Sequence, residues 1–443
     1  MSKDAAPHPL LIEPDAAYRA GTATPSSVLA AHLAVIDARE SEIAAFTALN
    51  RAGAAAAAEA STRRWKAGEP LSPIDGMVVG IKDVIETEDM PTGQGSPIWA
   101  GFHTRRDGAA VQALREAGAV VLGKTTTTEF ATRHSFAATR NPHDIERTPG
   151  GSSSGSAAAV GAGMLGGALG TQVVGSIIRP SSYCGVVGYK PSFGALNRGG
   201  ANDQLSQSCL GTIATSLNGA WGLATAIASR VGGDPGRVTL RGSERLPASR
   251  APQRMALLKT AGWSQIEPGA RIALDQEIHA IRQSGVELVS DEDGELAELE
   301  AALLDAWQLT ERILSWEFAW PLRSYPHEKL SPPMQQRLAA GKAMNRDDYE
   351  AALARRDAIR QRFGRLAERV DCFVTLAATG AAPRVTDNTG SPAMNVPASL
   401  LGVPALTLPI LQDSGLPMGL QLIGRNGQDA DLMAVARWRL EHA

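Results

Sequence analysis

The 443-residue chain is poor in the features that would place it among several large classes. It holds three cysteines, Cys184, Cys209 and Cys372. Three cannot build a disulfide framework, and their spacing is not that of a zinc site. The eight histidines show no ligand pattern either, so no metal is expected. Charge of either sign is not in excess: 43 Lys and Arg against 46 Asp and Glu leave a formal net charge of −3. Phosphate backbones need a basic surplus, so nucleic acid is not expected as the main partner. No apolar run approaches the ~20 residues of a membrane span. The opening residues, MSKDAAPHPLLIEPD, lack the apolar stretch of a signal peptide. Aromatics make up only 5%. A cytoplasmic globular protein is the expectation.

Glycine, in contrast, is plentiful at 45 residues and clusters between 150 and 200, where unusual backbone turns are expected. Residues 1–70 read as helical: Thr24 and Pro25 mark a helix start, and the Ala-rich segment 51–68 ends at Gly68. GMVVGIKDVI (76–85) reads as a buried strand with one lysine near its end. Residues 108–125 read as helix, glycine stop, strand. Residues 230–252 read as a linker, then RMALLKT and VELVS flank a helix. Residues 294–370 read as helices broken around Pro321 to Pro333, and DCFVTLAA, VPALTLPI and LPMGLQLIG as further strands before a last helix. Strands alternating with helices predict an α/β fold with a mixed sheet covered on both faces.

One motif is a decoy. GAVVLGKT (118–125) fits the phosphate-loop pattern, but its middle residues want to be a strand and its first glycine ends a helix. The informative stretch is TPGGSSSGS (148–156) followed by GTQVVGSIIRP (170–180). A flexible linker does not fit, because apolar helix and strand segments follow each piece at once. A serine beside an amide-rich loop is what acyl transfer needs: a nucleophile next to free N–H donors. No G-x-S-x-G elbow surrounds these serines. His134 and His143 read as surface or loop residues. The remaining candidate base is Lys82, set in MVVGIKDVI, where ionisation costs several kcal/mol unless the charge is paired. Such a lysine loses its proton more readily than a free one. Asp83 beside it reads as structural.

On these blocks, together with PTGQGS (91–96), GKTTTTEF (123–130), TRNPHDIERTPGGSSSGSAAAV (139–160), GTQVVGSIIRPSSYCGVVGYKPSFG (170–194), GVPALTLPI and GLPMGLQLIG, the chain resembles the amidase signature family of serine amidohydrolases. The resemblance runs from about Ser27 to the C-terminus and is weakest over 235–370. It implies the amidase signature fold, a single domain over 1–443: an N-terminal helical part (1–70), a signature core (71–230), a variable helical part (231–370) and C-terminal strands and helix (371–443). It places the family's Ser–cis-Ser–Lys triad on Ser176, Ser152 and Lys82, and its oxyanion hole on the N–H groups of Val173, Val174, Gly175 and Ser176. The implied activity is hydrolysis of a carbon–nitrogen bond in a linear, small-molecule amide through a serine acyl-enzyme, without metal or organic cofactor. Neither nucleic acid nor membrane is implied as a partner, and a homodimer is left open. Two alternatives stand beside it: the glutamine-hydrolysing subunit of a tRNA-dependent amidotransferase, and a non-catalytic binding protein on the same fold. The chain departs from the family's commonest T-D-x-G-G-S-I-R block at Gln172, Val174 and Ile178. A positive φ at Val174 would strain its β-branched side chain. Trp307, Trp316, Phe318 and Trp320 are candidates for a pocket wall, although such spacing more often serves core packing.

Overall fold

The computed structural model describes residues 8–442 apart from 133, 204, 291–292 and 386–388. Eleven strands of these residues are β1 (Phe46–Leu49), β2 (Val78–Lys82), β3 (Val120–Thr125), β4 (Gly167–Gln172), β5 (Val187–Lys190), β6 (Cys209–Ala214), β7 (Arg254–Leu257), β8 (Glu287–Val289), β9 (Cys372–Leu376), β10 (Ala405–Asp413) and β11 (Leu416–Ile423). They form one mixed sheet in the order β1-β3-β2-β4-β6-β5-β10-β11-β9-β7-β8. β2 runs parallel to both neighbours, β3 and β4. The middle of the sheet, from β4 through β6, β5, β10 and β11 to β9, is antiparallel. The pairs β9–β7 and β7–β8 are parallel again.

Helices cover both faces, as the alternation of elements implies. β2 shows why its sequence is apolar almost throughout: every residue is buried. Its side chains alternate between two cores, as the period of two requires. Val78 packs with Ile36, Leu122 and Ala157–Ala159 on one face. Val79 and Ile81 pack with Val121, Tyr189 and Trp221 on the other. Gly80 and Lys82 share the face of Val78. A Cβ at Gly80 would stand 2.5 Å from Leu165 Cδ1, so only glycine fits under that contact. The small-residue helix Ser154–Gly161 lies over this face and is buried along seven of its eight residues.

Most local signals act where the sequence puts them. Thr24 accepts from Ser27 N–H at the start of helix Pro25–Ile43, with the reciprocal bond completing a capping box. Helix Ala109–Glu116 gives way to Gly118 at φ +86°, and Val120–Thr125 is strand, so the phosphate-loop pattern is not a phosphate loop. One expectation needs correction. The supposedly all-helical N-terminal part contains β1, a four-residue edge strand antiparallel to β3. With no residue fully buried, it carries no apolar alternation to read. The helical break falls inside the expected span, Pro321 to Pro333. Helix Ala306–Arg323 takes Pro321 into its last turn, and the break follows at 324–331.

Next to Lys82 the chain buries an ion pair. Lys124 on β3 lies 3.1 Å from the Asp83 carboxylate, with both side chains at most 4% exposed. Asp83 also accepts from Gly93 N–H, and Lys124 donates to Thr92 Oγ1 at 2.7 Å. Asp83 is thus structural, partnered by Lys124 and not by Lys82. Asp83→Ala leaves an uncompensated buried ammonium, a loss of about 3–5 kcal/mol. Urea unfolding of this variant should show that loss, and the double replacement Asp83→Leu with Lys124→Met should recover much of it.

Candidate active site

Three segments meet above the ends of β2 and β4. Lys82 is the last residue of β2, Ser152 precedes helix Ser154–Gly161, and Ser176 lies between β4 and helix Ile178–Tyr183. The Lys82 ammonium is 0% exposed. Its Nζ lies 2.8 Å from Ser152 Oγ, 2.7 Å from Thr171 Oγ1 and 3.3 Å from Thr171 O, which uses all three of its hydrogen-bond directions. None of these partners is charged. Burial therefore pushes the Lys82 pKa down to about 7, against a smaller upward pull from the Asp203 carboxylate. The peptide bond between Gly151 and Ser152 is cis.

Ser176 is 8% exposed and opens on a cavity of about 40 Å³. The two serine segments are joined through the backbone, Ser153 N–H to Ser176 O at 3.2 Å. Among the described residues no hydrogen bond links the two serine hydroxyls directly. Nor does any loop hydrogen bond of the described residues take up the N–H groups of Val173, Val174, Gly175 or Ser176. Their carbonyls are engaged instead: Val173 O accepts from Gln207 Nε2 at 3.0 Å, and Val174 O from Ser399 Oγ at 2.7 Å. A loop pinned by its carbonyls leaves its N–H groups free for an anionic oxygen. Val174 is not among the residues with positive φ, so its β-branched side chain meets no left-handed strain here.

The structure also gives work to residues that sequence patterns left without a role. Gln172 Oε1 accepts from Ile177 N–H at 2.8 Å and Ile178 N–H at 3.0 Å, at the head of helix Ile178–Tyr183. Its Nε2 donates to Ser399 Oγ at 3.0 Å. Arg179 donates to Thr389 O at 2.8 Å and to Gly151 O at 2.7 Å, so it ties the Ser176 segment to the carbonyl just before Ser152. Thr171 escapes a reading of the sequence because its side chain matters only once β2 and β4 are known to be neighbours. Of the four aromatic candidates, Trp307 and Phe318 line the cavity at Ser176, with Glu311 and Leu314 on the same helical stripe. Trp316 stacks on Tyr349 at 5.5 Å, and Trp320 is 74% exposed. His134 packs edge-on against Phe136 and His143 meets Cys184 O, both away from the lysine. Among the described residues no group of three or more His, Cys, Asp or Glu is placed to hold a metal, and no helix is long and apolar enough to cross a membrane.

Comparison with known proteins gives the family and the fold. A family model described as Amidase matches residues 27–433. A glutamyl-tRNA(Gln) amidotransferase subunit from Chloroflexus aggregans is 32% identical over 461 aligned positions, covering 95% of this chain and 93% of that protein. A crystal structure of an amidase superposes with a TM-score of 0.83 at 28% identity, covering 97% of this chain and 98% of that one. The peptide amidase of Stenotrophomonas maltophilia superposes with a TM-score of 0.75 at 28% identity, covering 96% and 95%.

Gln172→Leu strips Ile177 and Ile178 of their acceptor, at about 1–3 kcal/mol for each buried N–H left unpaired. Chemical unfolding should show the loss. Gln172→Glu keeps an acceptor at a helix N-terminus and should lose clearly less. Equal losses in the two variants would mean that the acceptor is not what holds this loop.

Proposed function

The chain belongs to the amidase family, and from that premise we propose that it hydrolyses a linear amide through an acyl-enzyme on Ser176, with Ser152 and Lys82 completing a triad. Ser176 Oγ attacks the amide carbon while its proton passes to Ser152, whose own proton goes to the neutral Lys82 amine. The oxygen of the tetrahedral intermediate gathers the N–H groups of Val173, Val174, Gly175 and Ser176. Collapse breaks the carbon–nitrogen bond, and the leaving amine takes its proton back from Lys82 through Ser152. Water then attacks the Ser176 ester, using the same relay, and releases the acid. The observation that carries this reading is the contact of Lys82 Nζ with Ser152 Oγ at 2.8 Å on a lysine whose pKa burial has lowered to about 7. The cavity of about 40 Å³ at Ser176 suits a small acyl group.

A second reading is favoured by the relative from Chloroflexus aggregans: a subunit that hydrolyses glutamine and passes on the ammonia. Glutaminase turnover that rises with partner subunits and charged tRNA would select it over free amide hydrolysis.

Ser176→Ala should fold normally and fail to gain mass from a slowly deacylating ester, whereas the wild type gains one acyl group per chain. A labelled alanine variant would move the nucleophile elsewhere, and an unlabelled wild type would favour a binding protein. The pH dependence has a fixed sign. Lys82 works as a base only when neutral, so kcat/KM should climb as pH rises through about 7 and level off above it. Lys82→Arg should lose at least ~10²-fold in kcat, because a guanidinium does not deprotonate in a protein. Near wild-type activity in that variant would make the lysine a fixed charge and not the base.

A further inference from the structure

A second, larger cavity of about 240 Å³ shares Phe318 as a lining residue with the one at Ser176, and Val84, two residues after Lys82, lines it as well. Asp203 lines it and is 4% exposed, yet among the described residues neither carboxylate oxygen has a hydrogen-bond partner. An unpaired carboxylate at that depth costs several kcal/mol and calls for a cation. Lys82 is its electrostatic neighbour but cannot be that partner, because the lysine's three donor directions are spent on Ser152 and Thr171. Among the described residues no ion pair takes up Asp203.

The other walls suit an organic cation. Trp99, Phe130 and Tyr325 form a joined aromatic group: Phe130 stacks on Tyr325 at 5.4 Å between centroids, and Trp99 meets Tyr325 edge-on at 6.3 Å. Trp99 Nε1 donates to Tyr325 Oη at 3.0 Å, which fixes both rings. Glu317 adds a second carboxylate, already held by Ser206 N–H and Tyr349 Oη, so its charge is fixed in place. Aromatic faces and carboxylates together bind ammonium groups.

We propose that this cavity is a subsite for an organic ammonium group carried by the amine half of the substrate, with Asp203 as its charge partner. The assignment to the amine half rests on the amidase reading above. There the leaving nitrogen receives its proton from Lys82 through Ser152, and this cavity adjoins both the lysine's segment, at Val84, and the Ser176 cavity, at Phe318. The small cavity at Ser176 then takes the acyl half. The preferred substrates are amides whose amine bears a second, protonated amino group.

The test uses butylammonium and its neutral counterpart butan-1-ol as probes. Binding is read by tryptophan fluorescence and calorimetry on the full-length wild type, Ser176→Ala and Asp203→Asn. Wild type and Ser176→Ala should both bind butylammonium at least ~10-fold more tightly than butan-1-ol, the scale of a charge-assisted contact. Asp203→Asn should lose that preference while keeping its circular dichroism. Equal binding of the two probes by the wild type, no binding of either, or an undiminished preference in folded Asp203→Asn would overturn the subsite. The wild-type comparison decides even if the variant does not fold. Turnover then places the site: N-(4-aminobutyl) amides should exceed N-butyl amides of the same acid in kcat/KM in the wild type only. Because Ser176→Ala carries no acyl-enzyme, ammonium binding there separates the fate of the subsite from that of the proposed chemistry.

Discussion

A lysine shut away from solvent, with no carboxylate among its hydrogen-bond partners, is the constraint around which this structure is arranged. Lys82 ends a strand buried on both faces, and its nitrogen is satisfied by Ser152 and Thr171. That demand fixes much of the surroundings. Ser152 has to stand over the end of β2, and β4 has to be the neighbour that brings Thr171 alongside. The strand residue two before the lysine has to be Gly80, so that Leu165 can close the space beneath. Burial penalises the charged lysine and not the neutral one, and so brings its pKa down to about 7.

The contrast with two other buried lysines shows that burial alone does not assign the role. Lys124, one strand away, suffers the same desolvation but sits 3.1 Å from Asp83, whose carboxylate pulls its pKa back up as part of a structural pair. Lys190 on β5 is buried against backbone carbonyls and the Cys209 thiol, and desolvation lowers its pKa as well. Among the described residues neither has a serine hydroxyl within hydrogen-bond reach, whereas Lys82 does. What distinguishes Lys82 is therefore a pair of conditions: lost hydration with no carboxylate in contact, and a serine hydroxyl, that of Ser152, at 2.8 Å.

The sequence exposes these two conditions unequally. The apolar run around Lys82 makes its burial legible, as do the helix starts at Thr24 and Pro25 and the glycine stop before β3. The serine-rich segments are legible as a site because glycine and serine there adjoin apolar elements. Proximity is not legible from periodicity: Ser152 is 70 residues from Lys82, and only ordered family blocks link them. The supporting contacts are further out of reach. Ser399 reaches Val174 O across 225 residues, and Thr389 reaches Arg179 across 210. These depend on β10 and its preceding helix folding back beside β5, a pairing that no local pattern encodes. β1 is invisible for the opposite reason, since an edge strand with no buried face has no pattern to show.

The departures from the family's usual nucleophile block make physical sense once these contacts are known. An acid at position 172 would accept from Ile177 and Ile178, which Gln172 already does, and its amide adds a bond to Ser399 that a carboxylate cannot donate. The arginine sits one place later, as Arg179, and from there it spans to Gly151 O and Thr389. The loop is thus held by one neutral hub and one cation that donates to a hydroxyl and to carbonyls. Charge is then concentrated away from the loop: Glu311 and Arg337 face each other at 3.0 Å across the cavity of Ser176, and Asp203 faces the other cavity unpaired. Helix Ala306–Arg323 serves both cavities, with Trp307, Glu311, Leu314 and Phe318 towards one and Glu317, Phe318 and Trp320 towards the other. A change in this helix therefore reshapes both cavities without touching the lysine and serines. On the proposed reading, selectivity and chemistry are carried by different parts of the chain.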